Sequence, residues 1–206
     1  MTTENMKSGQ SAPDHPGILR DLQLYCTSNG PNSGYTTHIF TYRVEDVNGV
    51  LVYTNAEELP VEHSGTTDLG SHACLLDWLP RWRPQILDRL PEWKSRTAAG
   101  GCDITDELYA TRTLTIVDNG TNGVFKAYTV PAEQLAAKGF KKPSGELMGN
   151  AAWIAEVLAE AEELGVKVTC NKPASVHEVV TLGLVRNQGK RRWAQVVKER
   201  TTKFVR

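Results

Sequence analysis

The chain has 206 residues, a net charge of −1, and hydrophobic and charged fractions of 40% and 23%. These values suit one globular domain with a buried core. No apolar run approaches a membrane span and the N-terminus lacks a signal peptide's apolar stretch, so the expectation excludes a membrane partner and secretion. The cysteines Cys26, Cys74, Cys102 and Cys170 are widely spaced without a CxxC pair, which argues against zinc and for reduced thiols in a cytoplasmic setting.

Residues 1–18, rich in Ser, Thr, Gly, Pro and Asn, read as a disordered tail. Leu22–Thr27 alternates and is rich in strand formers, and Ser28-Asn29-Gly30-Pro31-Asn32-Ser33-Gly34 follows as a turn. Thr37–Val44 and Val50–Asn55 read as two more strands, with Asn48-Gly49 between them as the two-residue hairpin signal. Thr66-Thr67-Asp68 supplies helix-capping residue types before a helix over Leu69–Leu79. Pro80, Pro84, Trp78, Trp82, Trp93 and Gly100-Gly101 mark residues 80–112 as an irregular insertion with one short helix, Gln85–Leu90.

Leu114–Val117 is apolar enough for a central strand, and a helical segment over Gly120–Tyr128 follows. Lys138-Gly139-Phe140-Lys141-Lys142-Pro143 is a basic, breaker-rich protrusion. In Ala151–Leu164, Trp153, Ile154, Val157, Leu158, Ala161 and Leu164 fall on one helical face, with Asn150 placed to cap it and Gly165 to end it. Val166–Cys170 reads as a fifth strand and Val176–Val185 as a last helix. A strand–helix–strand unit implies parallel pairing, so the sheet is expected to be mixed. One domain over 19–185 is expected, followed by a basic tail. Residues 186–206 carry eight cations against Glu199, a net +7, leaving −8 on residues 1–185. Such a tail suits a polyanion or is a solvated terminus.

This order resembles that of the ribonuclease H fold, type I branch. Tyr25-Cys26-Thr27-Ser28-Asn29-Gly30 resembles the family's first strand and its Tyr-Thr-Asp-Gly turn. Thr66-Thr67-Asp68 resembles the Thr-Asn-Asn start of its first helix, and Ile116-Val117-Asp118-Asn119 the Asp-Ser pair after its fourth strand. Gly139-Phe140-Lys141-Lys142, Gly149-Asn150 and Trp153 resemble the basic handle and the helix after it. The match covers residues 22–185, and 80–112 is the main departure. It implies an α/β, ribonuclease H-like fold: a mixed five-stranded sheet with helices on both faces.

In that family four carboxylates hold two Mg²⁺ ions, one to activate water and one to stabilise the leaving oxygen. Carried onto this chain, only Asp118 is retained. The other positions fall on Ser28 (or Asn29, one residue on), His72 and Thr181, and the family's flexible-loop His falls near Ala174. One carboxylate cannot balance two divalent cations, and His72 is a poor Mg²⁺ ligand. Asp68, one turn before His72, and Glu178 could stand in as ligands beside Asp118. The preferred readings are a helix N-cap for Asp68 and a solvated helix residue for Glu178. A His72–Asp118 pair with Ser28 as nucleophile is a further arrangement, less economical than a satisfied polar pair.

Binding does not need the metal. The family holds its duplex through backbone and 2′-hydroxyl contacts from polar turns and the handle. Asn29, Asn32, Ser33, Thr66, Thr67 and Asn119 are candidate hydrogen-bonding groups, and Lys126, Lys138, Lys141 and Lys142 candidate cations. Lys190, Arg191 and Arg192 add charge beside Trp193, which could stack on a base or anchor the last segment to the core. Three functions follow. The first is a catalytically impaired module binding RNA–DNA hybrid or structured RNA, without cofactor. The second is a weakly active nuclease using Mg²⁺ or Mn²⁺. The third is a subunit of a larger assembly with a protein partner on residues 80–112, whose apolar groups could equally cover a sheet face.

Overall fold

A computed structural model describes residues 21–29, 36–55, 61–65, 70–82, 112–119, 124 and 127–204. The N-terminal tail, Asn32, Thr67, Asp68, Trp93 and residues 83–111 lie outside the described residues. The strands are β1 (Asp21–Asn29), β2 (Thr36–Asp46), β3 (Leu51–Thr54), β4 (Val61–Gly65), β5 (Arg112–Val117) and β6 (Val166–Asn171). Four helices are described: α1 over residues 70–82, α2 (Ala132–Ala137), α3 (Ala151–Glu163) and α4 (Val176–Phe204). Val124, Ala127 and Tyr128 are also helical.

The chain forms a mixed α/β sheet in the order β3-β2-β1-β5-β6. β2 runs antiparallel to β1, while β5 is parallel to β1 and β6 to β5. β3 pairs with Arg43–Glu45 and β4 with Thr36–Phe40, so the two are pieces of one edge flanking β2. The sequence reading of five strands lacks β4, because Val61-Glu62-His63-Ser64-Gly65 contains a single β-branched residue and no apolar alternation.

The hairpin departs from a two-residue loop. Gly49 N–H donates to the Asp46 carbonyl and Asp46 N–H to Val50, each at 3.0 Å. Gly49 follows the turn in the left-handed region, φ 79°, the geometry of the longer, bulged hairpin. The Asp46 carboxylate accepts from the Asn48 and Val50 N–H groups at 2.9 and 2.8 Å and fixes the loop.

Strand alternation sends two sets of side chains to opposite faces. Leu22 and Leu24, with Phe40, Tyr42, Val44, Leu114, Ile116, Val166, Val168 and Cys170, join one core cluster with the helices. Leu75, Trp78, Leu79 and Trp82 of α1 fall at helical spacing and are at most 1% exposed, and Ile154, Val157 and Ala161 of α3 join them. Trp78 and Trp82 are therefore core residues and not part of a protein interface, as one reading of the insertion had it. They stack at 6.3 Å between centroids. The helical assignment runs through Pro80, a residue expected to interrupt it. Pro80 is exposed in the last described turn of α1, where its ring meets solvent.

The opposite face is thinner. Tyr25 and Val117 pack under Leu182 and Val185 of α4 as a separate cluster. α4 is 29 residues long, so the expected break at Val185 is absent and the basic stretch continues the helix. Arg, Lys, Gln and Ala are strong helix formers and no proline intervenes. α4 runs in the same direction as β1: Glu178 meets Gln23, Leu182 and Val185 lie on Tyr25, and Gly189 lies against Thr27 and Asn29. A Cβ at residue 189 would collide with the Asn29 amide and lie 2.6 Å from the Thr27 methyl, so a larger residue there would have to displace these side chains. Beyond Gly189 the helix continues to Phe204, about 22 Å at 1.5 Å per residue.

Trp82→Ala should lower the unfolding free energy by about 3–5 kcal/mol, read as a lower denaturant midpoint. Trp82→Phe should cost much less, because it keeps an aromatic ring and removes a buried indole N–H that has no hydrogen-bond partner among the described residues.

Candidate nucleic-acid interface

The chain leaves β1 toward β2 and leaves β5 toward β6, on opposite sides of the β1–β5 pair. In open α/β sheets such a reversal opens a crevice outside the carboxyl ends of the two strands. Ser28 and Asn29 end β1, and Asp118 and Asn119 follow β5 directly.

Tyr25 pairs with Val117, which sets Asp118 level with Cys26 and leaves Ser28 two residues farther along. Asp118 N–H donates to the Asn171 carbonyl at 3.0 Å, fixing the end of β5 against β6. Its side chain is half-buried. Burial, then the charges of Asp118 and Cys26, push the neighbouring Cys170 thiol up to about 12. Cys26 Sγ donates to Ser71 Oγ at 3.3 Å. Ser28 is covered by the start of α1, since a Cβ on Gly70 would overlap the Ser28 Cβ. That close cover makes Ser28 a poor nucleophile.

The remaining expected positions disperse. His72 is 1% exposed, and its Nδ1 shares a 2.7 Å hydrogen bond with the Tyr128 hydroxyl. The ring centroids stand 5.6 Å apart, so His72 belongs to the α1 core. Thr181 is buried near His177, with 3.4 Å between its Oγ1 and Nε2. His177 donates to the buried Glu45 at 2.7 Å, and Glu45 also accepts from Arg43 at 2.5 Å. Glu45 pairs across the sheet with Gln23, so Thr181, through His177, is tied toward the start of β1 and not to the strand end that carries Ser28.

Glu178 forms a capping box. Its Oε2 accepts from the Ala174 and Ser175 N–H groups at 2.6 and 2.9 Å, and its N–H donates to Ser175 Oγ at 3.1 Å. Oε1 accepts from Gln23 Nε2 at 3.0 Å. Burial pushes the carboxyl up, but these hydrogen bonds outweigh it and hold the group below its ordinary value. With both oxygens engaged, Glu178 does not complete a metal site with Asp118. Among the described residues no three His, Cys, Asp or Glu side chains are grouped as metal ligands.

Asn119 is exposed and lies against α4, where its amide oxygen, turned toward Arg186, accepts from the guanidinium at 2.7 and 3.2 Å. Asn29 Nδ2 donates to Thr27 Oγ1 at 3.5 Å and faces Gly189. One residue on, Lys190 and Arg191 are exposed, while Arg192 and Trp193 are half-buried. Arg192 donates to Gln195 at 3.5 Å. Lys141 and Lys142 are exposed on a loop closed by the Lys141–Leu147 bridge, with Lys142 3.4 Å from Glu146. Phe140 and Met148 pack that loop against the main core.

The sequence reading missed Arg186, Glu45 and His177 as structured groups. Arg186 had a usable signal: it lies four residues after Leu182 and seven before Trp193, on the helix side that faces β1.

No family model matches the chain, and no curated protein matches it. Among solved structures it is similar to a foamy viral protease–reverse transcriptase in complex with an RNA/DNA hybrid, with a TM-score of 0.41 and 9% identity over 88% of this chain. The chain spans about a fifth of that protein's length, 21%.

Glu178→Ala should destabilise the protein by about 1 kcal/mol at neutral pH. A carboxyl held below its unfolded value contributes stability above that value and loses it as pH falls through the folded one. The gap between wild type and variant should therefore close below the ordinary value of 4.5. Urea titrations at neutral and acidic pH would show it.

Proposed function

We propose that this protein is a nucleic-acid-binding module with a ribonuclease H-like fold, impaired as a metal-dependent nuclease. The element order supports the fold reading: strands β1 to β3, with β4 as a second piece of the β3 edge, then a helix, a strand, helices, a strand and a last helix follow one another much as in that family. The observation that carries the function is a coincidence of position. The basic half of α4 leaves the sheet at the edge where β1 and β5 end, which is where Asp118 lies.

At that edge the groups suit phosphate and sugar better than hydrolysis. Asn29 and Asn119 offer amides, Lys190 and Arg191 offer exposed cations, and Trp193 adds an aromatic face on the same helix. Backbone contacts of this kind give affinity without reading sequence. The acidic remainder of the chain confines attraction to this edge and to the lysine loop. Asp118 remains as one carboxylate, and its retention favours a weak nuclease as the second reading.

The test incubates the full chain with a labelled RNA–DNA hybrid while Mg²⁺ or Mn²⁺ is titrated, scoring binding and cleavage together. Salt-sensitive binding without cleavage is expected, and Lys190→Gln with Arg191→Gln should flatten the log–log salt dependence by about 2. Metal-dependent cleavage abolished by Asp118→Asn would replace this reading with the second. Absence of both binding and cleavage would refute both.

A further inference from the structure

We infer that Arg186 is a phosphate-binding residue, and that its guanidinium brings to the crevice the positive charge that ribonuclease H enzymes take from metal ions. The inference rests on the nucleic-acid reading and deepens it by naming the group that grips the backbone.

Arg186 lies between two fixed points of α4. Val185 before it is fully buried on Tyr25 and Val117, and Gly189 after it is seated on Thr27 and Asn29. The helix therefore cannot slide or rotate without breaking one of these contacts. The Asn119 amide then orients the side chain through its two hydrogen bonds. A guanidinium has five N–H donors in a planar fork, and a neutral amide occupies only some of them. The Asn119 amide is neutral, so it positions the guanidinium without cancelling its charge. A fork held in place loses little entropy on binding, unlike a mobile surface lysine.

Asn119 is the residue after Asp118, and alternation sends the two side chains to opposite faces, so Arg186 stands on the α4 face of the strand end that carries Asp118. A phosphate oxygen on that face meets attraction from Arg186 and from Lys190 one turn away. This contact uses no metal, so binding is expected to be independent of it.

The experiment measures hybrid binding by fluorescence anisotropy across a salt series, in EDTA and in Mg²⁺, for wild type, Arg186→Gln and Arg186→Lys. In parallel, inorganic phosphate is titrated while the Arg186 Nε–H signal is followed by NMR. Wild type should bind equally with and without metal. Arg186→Gln should bind roughly tenfold more weakly and flatten the log–log salt slope by about 0.9, the value for one phosphate. Arg186→Lys should keep the slope and lose part of the affinity, which separates a charge contact from a packing role. Thermal unfolding midpoints confirm that the variants are folded. An unchanged slope in Arg186→Gln overturns the inference, and so does wild-type binding that requires Mg²⁺. A phosphate-dependent shift of Arg186 without hybrid binding would leave the anion site standing and sink the nucleic-acid reading. No shift and no binding would remove both.

Discussion

The parallel pairing of β1 with β5 is the constraint on which the rest depends. Its register, Tyr25 opposite Val117, decides what stands level at the strand ends. A slip of one residue would send Leu22 and Leu24 to the face covered by α4, and Tyr25 into the tryptophan-rich core. The burial of Leu24, Leu114 and Ile116, all fully enclosed, makes that slip prohibitive. The edge geometry is thus inherited from the core: Asp118 stands beside Cys26, and Asn119 reaches the other face, where Arg186 meets it.

The two faces of the sheet do different work. One carries the large apolar cluster under α1 and α3 and supplies most of the hydrophobic stabilisation. The other carries a small cluster and a polar network under α4: Gln23 accepts from the Tyr25 hydroxyl at 2.7 Å and passes a hydrogen bond to Glu178, while Glu45 collects Arg43 and His177. Burial, then the carboxylates Glu45 and Glu178, keep the Tyr25 hydroxyl protonated well above its usual range. A buried carboxylate such as Glu45 is tolerable because both oxygens accept charge-assisted hydrogen bonds. The network fixes the orientation of α4 more than it adds stability.

Much of the fold was legible because its strands are short apolar runs bounded by turn residues, and α3 has one clean apolar face. β4 was not legible: its pairing is set by the neighbouring Thr36–Phe40 and not by its own composition. The length of α4 was obscured by charge, since a run of Lys and Arg reads as a tail until a strand is found packed against Gly189. Asp118 at the end of β5 could be read from its neighbours Ile116 and Val117. The Ser175–Glu178 capping box carries a local spacing signal that the sequence reading passed over; the contacts of His72 with Tyr128, of Glu178 with Gln23 and of His177 with Glu45 carry none, because each partner lies far along the chain. Tyr128 is 56 residues from His72, and Glu45 is 132 from His177. Spacing along a chain does not contain those distances.

The anchoring of α4 is asymmetric, and that asymmetry has a dynamic consequence. Its first turn is held by the capping box and by the His177–Glu45 bond, and its middle by Leu182, Val185 and Gly189. Past that point the side chains are mostly exposed. Among the described contacts, the clamp on the helix is therefore concentrated in its first half. Amide protons around Leu182 and Val185 should exchange only with global opening, and those near Thr201 by local fraying. A ligand lying along the second half would order it further, so that part of the binding free energy would go into fixing the helix end and would weaken as temperature rises.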